Sequence, residues 1–299
     1  MADDGFDELF KEAADAWFAE EFDYDNHKDS IKKARQRMLN LDAFKEMKAY
    51  LSSEQNIREC EPFEQLNEKF TALAKQYDGS FDELYRDIEA RTCRREYAKG
   101  GGSLHRGFYS PRASDLVVGN SKRGRLLKRA PKDNRPTYEY LFDSNDDLIC
   151  VYGFGDRFGS WWLYDTELLI YEPDRVLGLD FSTYEGQNLD FISECRYDGN
   201  GLLMRYEGAV CSLAYLGEEC LEIQVEEFDY TDGLLQVLHI YDYNPAWPLL
   251  NHYKYVFNRD EDGYLSTYTV EDKSGVFSNL RKRYPDTGLP TYKVLARRK

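Results

Sequence analysis

The sequence is poor in the signatures that would name a chemistry. Its four histidines, His27, His105, His239 and His252, include no His-x-x-x-His pair, the spacing that sets two imidazoles on one helical face for zinc. Cys60, Cys93, Cys150, Cys195, Cys211 and Cys220 are widely spaced and form no Cys-x-x-Cys pair. They read as reduced, mostly buried thiols rather than a zinc site or a disulfide framework. No apolar run approaches the ~18 residues of a membrane span. The opening stretch, Met1-Ala2-Asp3-Asp4-Gly5-Phe6-Asp7-Glu8, is acidic, unlike a secretory or transit leader. A cytoplasmic protein with no membrane contact is expected. Gly-x-Ser-x-Gly is missing, and Gly119-Asn120-Ser121-Lys122-Arg123-Gly124 lacks the Walker A spacing. Gly153-Phe154-Gly155-Asp156-Arg157-Phe158-Gly159 is followed by Trp161-Trp162-Leu163-Tyr164, which reads as a strand and not as a phosphate-binding helix. No cofactor is expected.

What is present is acid and aromatic. Across 299 residues, 55 Asp and Glu outnumber 39 Lys and Arg, a formal net charge of −16. That balance disfavours direct nucleic-acid binding, which needs clustered cations; it suits a basic partner, or simply solubility. Tyr and Phe number 24 and 17, and strands use both heavily.

The hydrophobic period changes along the chain. Residues 1–99 read as a helical domain: Phe6, Leu9, Phe10, Ala13, Trp17 and Phe18 recur at helical spacing, and later stripes follow the same rule. Asp42 is a candidate cap for a helix carrying Phe44, Met47 and Leu51. Pro62 suits the first turn of a helix through Phe63, Leu66, Phe70, Leu73 and Tyr77. Ser80 with Glu83 reads as a capping box for the next. Gly100-Gly101-Gly102 then opens a connecting segment, 100–136, whose residues 103–136 carry net +7. Residues 137–299 read as an antiparallel β domain, acid-rich to 272 and basic again in the tail. The basic flanks are expected either to fold back onto the acidic sheet and neutralise it or to bind another molecule.

The β region repeats itself. Asp/Asn-rich turns ending in Gly separate aromatic or β-branched runs, at Gly201, Gly233 and Gly263; such turns are strong hairpin signals. The expected fold is α+β, a helical N-terminal unit followed by a large antiparallel meander of about eight to twelve strands built from hairpin repeats. Tyr197-Asp198-Gly199-Asn200-Gly201 resembles the YD-type repeats of large bacterial toxin shells. The resemblance covers at most residues 137–272, and implies hairpin geometry and a bacterial toxin–immunity setting.

Three sets of residues compete for function. Glu222, Glu226, Glu227 and Asp229 place four carboxylates in eight residues without a base, an acidic patch suited to steering a basic partner. In a regular strand Glu222 and Glu226 share one face, Glu227 and Asp229 the other. Trp247, between Pro245 and Pro248, is the candidate aromatic anchor. Together they suggest a non-enzymatic, immunity- or antitoxin-type inhibitor of a basic toxin or nuclease. The alternative is a metal-dependent hydrolase using Asp260, Asp262, Glu271 and Lys273, in which two carboxylates hold a metal and lysine positions water. A scaffolding module is the third reading. Asn258-x-Asp260-x-Asp262-Gly263 begins like a calcium loop, but its twelfth position is Thr269 rather than Glu, so no metal is expected there.

Overall fold

The computed structural model of the protein describes residues 15, 19, 27–38, 40–41, 44–100, 125–157, 160–183, 187–211, 222–245, 248–259, 265–272 and 275–281. Four helices lie among them: α1 (His27–Met38), α2 (Lys45–Leu51), α3 (Glu54–Tyr77) and α4 (Phe81–Arg91). The strands are β1 (Arg94–Lys99), β2 (Arg125–Leu127), β3 (Tyr138–Phe142), β4 (Leu148–Arg157), β5 (Ser160–Tyr171), β6 (Val176–Ser182), β7 (Asn188–Tyr197), β8 (Leu203–Val210), β9 (Glu222–Thr231), β10 (Leu234–Asn244), β11 (Leu249–Arg259), β12 (Leu265–Asp272) and β13 (Gly275–Arg281). They form one antiparallel sheet in which β3 to β13 follow chain order and β1 sits between β3 and β2. The α+β meander read from the sequence is the observed fold: residues 137–299 supply eleven of its described strands, within the eight to twelve expected, and β1 and β2 join from earlier in the chain.

Register divides the sheet into two faces. On one, Leu168 aligns with Leu179, Leu179 with Ile192, Ile192 with Ala209, Ala209 with Ile223, and Ile223 with Tyr243. These join Phe63, Phe70, Phe81 and Ile88 of α3 and α4 in one buried cluster, each large apolar side chain contributing roughly 1.5–3 kcal/mol. Phe63 meets Tyr241 and Tyr243 at 5.8 and 5.9 Å between centroids, and Phe81 meets Phe181 at 5.2 Å. On the other face Cys195 aligns with Tyr206, Tyr206 with Glu226, Glu226 with Ile240 and Ile240 with Tyr253. Its apolar residues form a second buried cluster that contains, among the described residues, none from a helix. Because both faces bury side chains, polar positions along these strands are not automatically exposed.

Several local expectations are corrected. Residues 94–99, assigned above to the helical domain, form β1, paired with β3 from Arg94↔Phe142 to Ala98↔Tyr138. Helix α4 ends at Arg91; Thr92 Oγ1 donates to the Ile88 carbonyl at 2.8 Å, and the chain turns extended. The helices and sheet share one cluster, so the boundary at 99/100 does not separate two cores. Pro62 lies inside α3, which begins at Glu54, so it does not open the helix as expected. The cap is Ser53, whose Oγ accepts from Asn56 N, and Pro62 leaves the Arg58 carbonyl without its usual helical donor. Ser80 does occupy the N-cap of α4, yet its hydroxyl donates to Tyr77 O at 2.6 Å instead of capping. Asp42 and the stripe from Phe6 to Phe18 lie outside the described residues.

Three of the described hairpin turns fall into two forms. Asp143 Oδ1 accepts from the amides of Asn145 and Asp147, and Asp198 Oδ1 accepts from those of Asn200 and Leu202. The two five-residue turns match even in their left-handed fourth residue, Asp146 in one and Gly201 in the other. Asp232-Gly233 instead makes a two-residue turn, both residues at positive φ, closing Thr231↔Leu234; that is the two-residue geometry suited to twisted hairpins.

Candidate functional site

Successive hairpins put alternate turns at opposite ends of the sheet. The tight Asp turns share one end; the connections at 183–187, 211–221 and 245–248 share the other. At this second end, on the face whose cluster holds no described helix residue, a concavity of about 380 Å³ opens between β7 and β11. Its polar lining is Glu222, Gln224, Asp242, Asn244 and Asn251, with Phe191 as a wall. Gln224 Nε2 donates to Asp242 Oδ1 at 2.9 Å, and Asn244 Nδ2 to Glu222 Oε1 at 2.9 Å. Pairing explains the assembly, since Gln224 aligns with Asp242 on β10, which aligns with Asn251 on β11. Gly208 makes room for the wall: a Cβ there would lie 2.5 Å from Phe191 Cζ and 3.0 Å from Tyr206 Oη.

Burial raises the carboxyl of Asp242 above its ordinary value, and the bond from Gln224 opposes that rise only in part. The site thus holds a carboxylate short of solvent and of countercharge. The inward-facing positions of β5 to β10 carry no Lys or Arg; Arg196, Arg205 and Lys254 fall on the helix-covered face by register. No nucleophile stands beside a general base in this lining. The carboxylates and amide oxygens of this lining are equipped to accept hydrogen bonds from a cationic group.

The predicted patch is only partly assembled. Glu222 is exposed on the rim of the concavity. Glu226 is 0% exposed, beside Tyr206 and Ile240 in the ladder, so its place in a partner-binding patch is overturned: the expectation held its strand parity but not the burial of that face. Glu227 is ion-paired with Arg205 on the helix-covered face, and Asp229 there is 69% exposed, 3.9 Å from His239 Nε2. The four carboxylates therefore form no single surface. Trp247 lies outside the described residues, as do Asp260, Asp262 and Lys273. Glu271 pairs with Lys254 at 3.3 Å. It also sits six residues along β12 from Leu265, the partner of Arg259, a separation of about 20 Å along a strand.

Sequence reading missed Gln224, Asp242, Asn244 and Asn251. Asp242 and Asn244 alternate with Tyr241 and Tyr243, and that alternation is the signal that puts both on one face.

The helix-covered face carries a different polar system. Glu194, fully buried, receives Lys69 at 2.8 Å, Arg175 at 2.7 Å and Arg196 at 2.7 Å. Lys69 also reaches Glu207 at 2.8 Å, and Arg205 reaches Glu207 at 2.7 Å. Burial alone would raise the Glu194 carboxyl, but these cations together hold it at about 2. The network ties α3 to β7 and β8. Among the described residues, Glu194 and Glu207 are thus met by Lys69 of α3, by Arg196 and Arg205 of the strands and by Arg175 of the β5–β6 turn. Further along this face, His239 Nδ1 lies 3.0 Å from His252 Nε2, and His252 stacks on Tyr241 at 4.4 Å. Among the described residues, no three His, Cys, Asp or Glu side chains are grouped to hold a metal ion. Cys60, Cys93, Cys150, Cys195 and Cys211 are free thiols, and no described helix is long and apolar enough to cross a membrane.

Comparison of the chain with protein-family models, with curated proteins and with solved structures finds no match in any of the three.

Proposed function

We propose that the protein is a non-enzymatic binding protein of the immunity or antitoxin type, acting in the cytoplasm on a basic toxin or nuclease. The observation that carries this reading is the concavity where Glu222 and Asp242 stand among amides with no Lys or Arg among its described lining residues, in a chain of net charge −16. The overall charge accelerates encounter with a basic surface, and the concavity receives a lysine or arginine side chain from it. Guanidinium suits the site best, because its planar fork can engage a carboxylate and a neighbouring amide oxygen together. Trp247, three residues after Asn244 in the chain, is the proposed aromatic anchor.

Interferometry of the full chain against an Arg-rich decapeptide and a purified basic ribonuclease tests the reading. Binding should weaken with salt, and Asp242→Asn with Glu222→Gln should weaken it about tenfold or more. Trp247→Ala should chiefly speed dissociation from the protein partner, at about 2 kcal/mol for an anchor. Unchanged affinity in the Asp242→Asn, Glu222→Gln variant would remove the concavity from the interface.

A further inference from the structure

The opposite extreme of charge lies at the sheet's edge. Among the described residues β2 is the last strand of the order, paired with β1 alone through Tyr97↔Leu127, Ala98↔Leu126 and Lys99↔Arg125. The chain leaving β2 curls into a concavity of about 630 Å³ lined by Lys99, Arg125, Lys128, Arg129, Lys132 and Asp133, together with apolar residues between them. Asp133, the one acid, is engaged by Lys99. Arg125, Lys128, Arg129 and Lys132 are exposed, and none has an acidic partner among the described residues. Elsewhere on the sheet the cations are committed: Arg95 to Glu89 and Glu139, Arg175 and Arg196 to Glu194, Arg205 to Glu207. In a chain with a surplus of acid, four uncommitted cations within eight residues are out of proportion.

We propose that the β2 edge is a second interaction surface, which accepts an extended acidic peptide segment of a partner as an added strand. An edge strand offers a row of backbone donors and acceptors to such a segment, and the flanking cations select Asp and Glu side chains on it. Two observations favour a peptide over a nucleic acid. Among the described residues the lining has no aromatic side chain on which bases could stack, the usual support for single strands. An extended peptide can also match the backbone donors and acceptors of β2, which a polynucleotide cannot. This surface is independent of the concavity at the loop end.

The test is fluorescence anisotropy of the full chain with a labelled Asp/Glu-rich decapeptide, the same peptide N-methylated at alternate residues, and a single-stranded uridine oligonucleotide. The parent peptide should bind in a salt-sensitive manner. N-methylation, which keeps the charge but blocks strand pairing, should weaken it about tenfold or more, as should Arg125→Glu with Arg129→Glu. Lys128→Glu alone should give a smaller loss in the same direction. Thermal melting verifies that the variants stay folded, which their exposed positions favour. Equal binding of the methylated peptide, preference for the oligonucleotide, or indifference to all three reversals would each overturn the proposal.

Discussion

The two faces of this sheet bury carboxylates in opposite ways. Under α3 and α4, Glu194 and Glu207 are surrounded by Lys69, Arg175, Arg196 and Arg205. On the other face Asp242 is half-enclosed, met by Gln224 rather than by a cation, in a row whose described positions include no Lys or Arg. A carboxylate surrounded by cations holds two elements together, and its charge is spent on that. One buried without them costs stability unless a partner supplies the missing cation. The difference separates the acids that build this fold from those available to recognise something else, a distinction that net charge does not make.

The helix-covered face should be held first by packing and only then by ions, and the largest expected effect tests that order. Phe70 is fully buried in the cluster shared by helix and sheet, so Phe70→Ala should cost about 3–5 kcal/mol in chemical denaturation. Lys69→Met, one residue earlier, should cost about 1–2 kcal/mol, because Glu194 and Glu207 keep their arginines. The reverse ranking would make the ion network the chief bond between α3 and the sheet.

Acid should pull the two faces in opposite directions. Glu194 falls from an ordinary 4.5 to about 2 on folding. Its stabilisation is therefore fully present above the unfolded value and is lost as pH falls through the folded one. Asp242 is raised above 3.8; its penalty is absent in acid and grows as pH rises past that value. Glu194→Gln should accordingly lower stability at neutral pH by about 2 kcal/mol and flatten the acid limb of a stability–pH curve. Asp242→Asn should raise neutral-pH stability and steepen nothing. If both variants shift the curve in the same direction, the faces do not differ electrostatically as described.

Much of the fold was legible from the period of the sequence. The switch from helical stripes to aromatic alternation, and Asp-rich turns such as Asp198 to Leu202, mark local chemistry that the chain must satisfy wherever it lies. What was not legible depends on long-range pairing. Arg94 to Lys99 became a strand because β3 lay ready to pair with it, and Pro62 was kept inside α3 by the packing of Phe63 and Phe70. The site failed for the same reason. Glu222 to Asp229 is a patch only in one dimension; pairing with β8 and β10 sends its members to different faces and different solvent. Asp242 and Gln224, eighteen residues apart, meet only once register is set.

Thr166 offers the finest test of how completely the helix-covered face satisfies its polar groups. It lies on β5 between Tyr152 and Phe181 in the register, wholly buried. Its Oγ1 has no hydrogen-bond partner, since the helix residue above this region is Phe81, packed edge-on against Phe181. A hydroxyl enclosed by rings has lost water without recovering a bond, a cost of about 1–3 kcal/mol. Valine has nearly the same shape and an equal liking for strands. Thr166→Val should therefore stabilise the protein, by about 1 kcal/mol once small repacking losses are included. Parallel denaturant titrations would show a higher midpoint with an unchanged slope. A destabilised variant would mean that the hydroxyl is bonded after all, and that this face leaves no buried polar group unanswered.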